Sequence, residues 1–199
     1  MKEEKKEETI DRRIRKTRRL LRECLTALLK EKKVQDITVR EIADMADINR
    51  GTFYLHYKDI FDMLTQIEND LFKELDTLFS SHSVKELKSS PLPICKDIFR
   101  FAQTNSELFQ IFLGPNGDSA FVNRTKELVR QHCYHNWQMI FSPCDTSRFA
   151  YFYSFIISGW IGLLSDWLDT GMQESIDEMA HIAEQIVFSG IDFIKCEKA

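Results

Sequence analysis

The stretch TVREIADMADINRGTFYLHYK, residues 38–58, sets the reading of this chain. Thr38 with Glu41 three residues on spells a capping box, in which the hydroxyl serves a backbone N–H of the first turn and the carboxylate serves the cap's own. Val39, Ile42, Ala43 and Ala46 follow at helical spacing and mark one buried face. Ala43 is small where a second helix must cross closely. Asp47-Ile48-Asn49 predicts a turn, with Ile48 tucked inward and Asn49 capping a second helix from about Arg50 to Tyr57. Phe53 and Tyr57, four apart, take the inner face of that helix. Arg50, Thr52, Tyr54 and His56 are left outward, all hydrogen-bonders, and Gly51 lets the backbone approach a ligand closely. A short second helix with polar residues at its start fits a helix-turn-helix, whose second helix enters the major groove of DNA. Spacing alone also allows a plain αα-hairpin.

These residues resemble the N-terminal domain of TetR-type transcriptional regulators. The resemblance spans residues 12–65 and is carried by T-V-R-E-I-A, then N-R-G-T-F-Y-L-H-Y-K-D, then Phe61 and Leu64, with G-T-F-Y-x-H-Y at 51–57 its most specific element. Two positions depart from the pattern. Asp47 stands where the turn commonly has Gly, and Asp tolerates a left-handed backbone better than most residues, so the turn is expected to form. Ile60 stands where some members carry a lysine that touches phosphate. The resemblance implies an all-α chain with a three-helix DNA-binding domain at 1–58 and a helical effector-binding and dimerisation domain at 59–199. It also implies the mechanism: a small molecule shifts the long connecting helix, changes the separation of two recognition helices in a homodimer, and so releases or engages a palindromic operator. Repression is the usual mode; activation by the same fold is the alternative. Arg40 and Arg50 are the first candidates for base-edge or phosphate contact, arginine being suited to guanine. Thr52, Tyr54, His56 and Lys58 are expected to touch mainly phosphate, helped by Gly51 and by backbone N–H groups.

Charge agrees with a nucleic-acid partner. Through residue 58 there are 16 Lys/Arg against 11 Asp/Glu, a net of +5, while the remainder carries −9 and hides this basic end within an overall −4. Arg12, Arg13, Arg15, Lys16, Arg18, Arg19 and Arg22 form a run with no acid between them, the kind of patch that neutralises phosphate and makes affinity fall with salt. The same run is equally the solvated face of a helix whose buried side is Ile14, Leu21, Cys24, Leu25 and Leu28. Residues 1–8, MKEEKKEE, are mixed-charge with one apolar residue and predict disorder.

With 199 residues the chain can bury a substantial core, and only 7 Gly and 4 Pro, without alternating Val/Ile runs, argue for helices throughout. A charged N-terminus without a hydrophobic segment, and five cysteines without a CxxC pair, fit a cytoplasmic protein with reduced thiols. From Asp59 a long helix is expected to carry Ile60, Phe61, Leu64, Ile67, Leu71, Leu75 and Leu78. The segment 80–93 reads as a connector with a helical turn. Helices follow near 94–103, 107–113, 119–141, 146–169 and 175–195, with a break at Gly114–Gly117, Gly171 ending one helix and Ser175 with Glu178 capping the last.

The most apolar stretch, 149–164, is too short for a membrane span and is diluted by Tyr and Ser. Its small-residue row Ser154, Ser158, Gly162 lets another helix approach. The last helix offers Met179, Ala183, Ile186 and Gly190. In the resembled family the last two long helices pair with their copies in a second subunit, and these residues are candidates for that interface; packing within one subunit would use them equally well. Fourteen of the 15 Phe and all 3 Trp lie after residue 58. Phe99, Phe109, Phe112, Trp137, Tyr153 and Trp160 could line a cavity for a small, largely apolar effector, or simply form core. The segment 158–175 is vaguely similar to regulators linked to dihydroxyacetone kinase genes. Chemistry of another class would rest on His132 and His135, three apart in QHCYHN, as zinc ligands of a helical enzyme. A third or fourth ligand would have to come from His82, His181 or a distant carboxylate, and no GxSxG, P-loop, dinucleotide-binding glycine pattern or HExxH occurs. No cofactor, metal or catalytic residue is expected.

Overall fold

The computed structural model describes residues 2–114, 119–141 and 146–190; side chains at 2–11, 135, 140, 141, 146 and 188–190 fall outside the description. All regular structure among the described residues is helical: α1 Lys2–Glu31, a 3₁₀ turn Val34–Asp36, α2 Val39–Met45, α3 Arg50–Tyr54, α4 Ile60–Ser80, α5 Val84–Ser89, α6 Leu92–Thr104, α7 Ser106–Leu113, α8 Ser119–Val129, a π-helical segment Arg130–Tyr134, α9 His135–Phe141, α10 Thr146–Asp169 and α11 Ile176–Gly190. Two compact units result, Met1–Asp70 and Leu71–Ala199, and the division falls inside α4.

In the first unit α1 packs on α2 and α2 on α3. Leu21, Leu25, Ile42, Phe53 and Met63 are fully buried at its centre. Local chemistry sets the boundaries. The Thr38 hydroxyl accepts from Glu41 N–H while the Glu41 carboxylate accepts from Thr38 N–H at 2.9 Å. Asn49 Oδ1 accepts from Thr52 N–H at 3.0 Å and starts α3. Between them Ile48 N–H reaches back to Ala43 O (3.0 Å) and Asp47 N–H to Asp44 O (3.3 Å), with Asp47 left-handed at φ 49°. This is a Schellman ending whose left-handed position is normally glycine. The same ending closes α10, with Gly171 at φ 81° and Met172 N–H bonded to Trp167 O.

Four expectations need correction. Helix α1 starts at Lys2, so residues predicted to be disordered are helical; the segment holds no Gly or Pro and is rich in Glu and Lys, which have good helix propensity. Ile14 is exposed, because the buried side of α1 starts only at Leu21. On α4, Phe61 is 57% exposed and Leu64 and Leu78 are half-buried. The buried stripe is instead Ile60, Met63, Ile67, Leu71, Phe72, Leu75 and Phe79; both sets keep helical spacing, and packing selects this one. Regular helix in α3 ends at Tyr54, although Tyr57 N–H still bonds Phe53 O at 3.0 Å.

The second unit pairs α11 with α6 and α10 with α7. Ser83 and Glu86 cap α5, and Ser175 and Glu178 cap α11, each by a reciprocal box. The predicted helix 119–141 is broken by the π segment, and the expected break at 115–117, like the end of the last helix past Gly190, lies outside the described residues.

Candidate nucleic-acid interface and ligand cavity

The outward surface of α2 and α3 holds the residues expected to meet DNA. Arg50 and Gly51 are exposed at the start of α3, and Tyr54, one turn on, is 57% exposed with its ring edge-on to Phe53 at 5.6 Å. A Cβ on Gly51 would come within 2.9 Å of Asn49 Oδ1, so this glycine also makes room for the cap beneath it. Arg40 is exposed on α2 and paired only loosely with Asp44, at 3.5 Å across one turn. Thr52 and His56 are half-buried. Burial, then the Arg18 charge, pull the His56 pKa below its ordinary value, so the ring is a neutral hydrogen-bonder at pH 7 rather than a cation. Lys58 is exposed and its N–H donates to Asp62 Oδ2 at 2.9 Å, which fixes the corner into α4 and lowers the Asp62 pKa.

Two supports escaped the sequence. Lys32 reaches Glu41 from the end of α1; that bond, then Thr38, hold the Glu41 carboxyl at about 2. Arg18, one of the α1 run, lies 5.8 Å over the Tyr57 ring. Neither partner is close in sequence, so spacing could not pair them. Leu55, 82% exposed, and Met45, 53% exposed, also flank this surface. Neither was singled out from the sequence.

The second unit encloses a cavity of about 120 Å³. Leu75 and Phe79 of α4, Cys95 and Phe101 of α6, Phe109 of α7, Val129 of α8, Cys133 of the π segment, Trp137 of α9, Ile157 and Trp160 of α10 and Glu184 of α11 are among its walls. Phe109, Trp137 and Trp160 of the expected aromatic set thus border it. Phe99 is fully buried, with the Trp160 and Trp167 rings 5.5 and 5.3 Å away. Phe112 stacks on Phe121 at 4.4 Å. Tyr153 sits edge-on to Tyr134 and Trp137, with a hydroxyl that meets no hydrogen-bond partner among the described residues. These three pack as core beside the cavity. Burial pushes both thiols up to about 12, so Cys95 and Cys133 are neutral and unreactive; the Glu184 carboxylate adds to the effect at Cys95.

On α10, Ser154, Ser158 and Gly162 share an exposed face with Tyr151 (79% exposed) and Phe155 (72%), two aromatics not singled out from the sequence. On α11, Ile186 is exposed beside Ile182. Met179 and Ala183, in contrast, are buried within the unit, in which α11 packs on α6. Gly190 ends α11, and its surroundings lie outside the described residues.

His132 and Cys133 do not assemble a metal site. His132 Nε2 lies 2.7 Å from Asp76 Oδ1 with its ring stacked on Phe79, and Cys133 turns into the cavity; the side chain of His135 is outside the description. Among the described residues no three His, Cys, Asp or Glu groups converge, and no helix is long and apolar enough to cross a membrane.

Residues 89–189 match a TetR family defined as "Transcriptional regulator C-terminal region". The chain belongs to the TetR family of transcriptional regulators. A 64-residue stretch is 39% identical to an HTH-type transcriptional regulator, YxbF, of Bacillus subtilis; it covers 32% of this chain and only 17% of that protein. Among solved structures, a TetR regulator from Streptococcus agalactiae shares the fold over 90% of this chain and 97% of its own (TM-score 0.65, 21% identity). The dihydroxyacetone kinase operon activator DhaS does so over 90% and 98% (TM-score 0.62, 15% identity). At such identities the likeness establishes the fold alone, and the TetR family assignment rests on the C-terminal match.

Proposed function

We propose that this TetR-family protein is a repressor that binds a palindromic operator as a homodimer through Arg40, Arg50, Gly51, Thr52, Tyr54, His56 and Lys58, and that a small, largely apolar effector in the cavity of the second unit controls that binding. The observation that carries the DNA reading is the exposed edge of α3. Arginine, a tyrosine hydroxyl and a side-chain-free glycine stand together at the start of a helix whose other face is sealed by Phe53 and Tyr57. The exposed apolar face of α10 and α11 supports pairing of two subunits, since a monomer rarely leaves such residues in water. Helix α4 supports the coupling. Its second half lines the cavity with Leu75 and Phe79, so an effector there competes for the packing that sets the position of α4.

Selection from a random DNA pool with the purified protein tests the reading. A palindromic site is expected, with half-sites about one helical turn or a multiple of it apart. Arg50→Ala is expected to cost about 1–3 kcal/mol at that site and to relax selectivity at one base pair, while Lys58→Ala weakens all sequences alike. Association that stays weak, salt-labile and sequence-blind would remove the DNA reading.

A further inference from the structure

The cavity is lined by aliphatic and aromatic side chains, with one charged group in its wall. Among the described lining residues the charged one is Glu184; the others with polar side-chain atoms are Thr125, Cys95, Cys133 and, through their indole N–H groups, Trp137 and Trp160. The Thr125 hydroxyl already donates to Phe121 O at 2.9 Å, and the thiols are neutral. Glu184 is itself mostly covered, its side chain 23% exposed, and its ionic neighbour is His181 Nδ1 at 3.5 Å on the outer side of α11. A loose contact to a 57% exposed imidazole contributes little. Lys96 of α6 is engaged by Asp177 at 2.8 Å.

We infer that Glu184 is the specificity anchor of the cavity, and that the effector it selects is an organic amine or ammonium with an aromatic or aliphatic body. This rests on the reading of the cavity as the effector site. A neutral ligand would fill the apolar walls but bury the carboxylate unpaired, and a stranded charge costs binding free energy. An acidic ligand would add repulsion. A cation pairs with Glu184, and the faces of Trp137 and Trp160 and the rings of Phe79, Phe101 and Phe109 offer it further attraction. The sequence carried the signal. Glu184 shares its side of α11 with the buried Ala180, Ala183 and Val187, an unusual place for an acid.

The test compares 2-phenylethylamine, protonated at pH 7, with 2-phenylethanol, nearly the same in shape and uncharged. Binding to the full-length protein is read by tryptophan fluorescence, because Trp137 and Trp160 border the cavity, and by the shift in melting temperature. The amine is expected to bind at least tenfold more tightly than the alcohol, and Glu184→Gln, nearly isosteric, to abolish that preference while leaving alcohol binding in place. Equal binding of the two probes to the wild type overturns the anchor and leaves the cavity reading intact. Retention of the preference in Glu184→Gln overturns it too. Failure of both probes at millimolar concentration overturns the anchor together with the effector reading. The wild-type comparison stands even if the variant folds poorly.

Discussion

At Asp47 a single backbone angle separates this turn from its usual form. The residue holds φ 49° so that Ile48 N–H can close on Ala43 O, a geometry that costs an L-residue free energy and glycine none. Asp47→Gly relieves the backbone but enlarges the entropy lost on folding. Relief is the larger effect, and the variant is expected to gain about 0.5 kcal/mol, read as a higher denaturation midpoint. A lower midpoint would mean that the carboxylate contributes something the glycine cannot. Tyr153 offers the converse case. Its hydroxyl is buried without a partner among the described residues, and burial drives its pKa well up. An unsatisfied buried hydroxyl costs free energy that a phenyl ring avoids. Tyr153→Phe is therefore expected to be neutral or to stabilise by about 1 kcal/mol. A clear loss in thermal unfolding would show that the hydroxyl is paired after all.

Helix α2 shows how residue chemistry becomes an element. Seven residues are too few to hold a helix by propensity, so its start depends on the Thr38–Glu41 box and on the Lys32 side chain that grips the same carboxylate. The Glu41 pKa is lowered from 4.5 to about 2, so its contribution is fully present above pH 4.5 and is lost as pH falls through about 2. Melting curves of wild type and Glu41→Gln from neutral to strongly acid pH check this. Their separation should hold down to about pH 4.5 and close on the way to 2. A gap that closes nearer neutrality would assign the effect to another group. Elements of this kind were legible in the sequence because they are made by residues within four positions of one another: both caps of the helix-turn-helix, the left-handed Asp47, the box at Ser175 and the end at Gly171; the Ser83–Glu86 box, equally local, was read only as a helical turn in a connector. What depended on distant partners was not. The facing of α4 slipped from Phe61 and Leu64 to Met63 and Phe72, because apolar residues on adjacent stripes compete and only packing chooses between them. The π segment at Arg130–Tyr134 had no signal beyond polar residues in the middle of a helix. His132 looked like a ligand in the sequence and proved to be a partner of Asp76, 56 positions away. The aromatic set divided between cavity wall and core for the same reason.

At the scale of the whole molecule the exposed face of α10 sets the last expectation. Tyr151 and Phe155 stand in water on the helix that also presents Ser154, Ser158, Gly159 and Gly162, and a Cβ on either glycine would meet nothing within 4 Å. Large rings beside small residues, with Lys126 donating to Ser158 Oγ at 3.2 Å at the edge, suit an isologous contact about a two-fold axis. If this face joins two subunits, Phe155→Glu places like charges across the axis and removes an exposed apolar ring from it. Light scattering is then expected to report the mass of one chain, and melting to lose its dependence on protein concentration. Helical circular dichroism should stay unchanged, because Phe155 lies outside the core of its own unit. Operator affinity follows from the arithmetic of linked sites. One half-site held alone forgoes the effective concentration that a tethered second half supplies, so palindrome binding is expected to fall by about 100-fold or more, while binding to an isolated half-site is nearly unchanged. A variant that keeps the mass of a dimer would move the interface elsewhere. A true monomer that still binds the palindrome at full strength would show instead that each recognition helix acts alone.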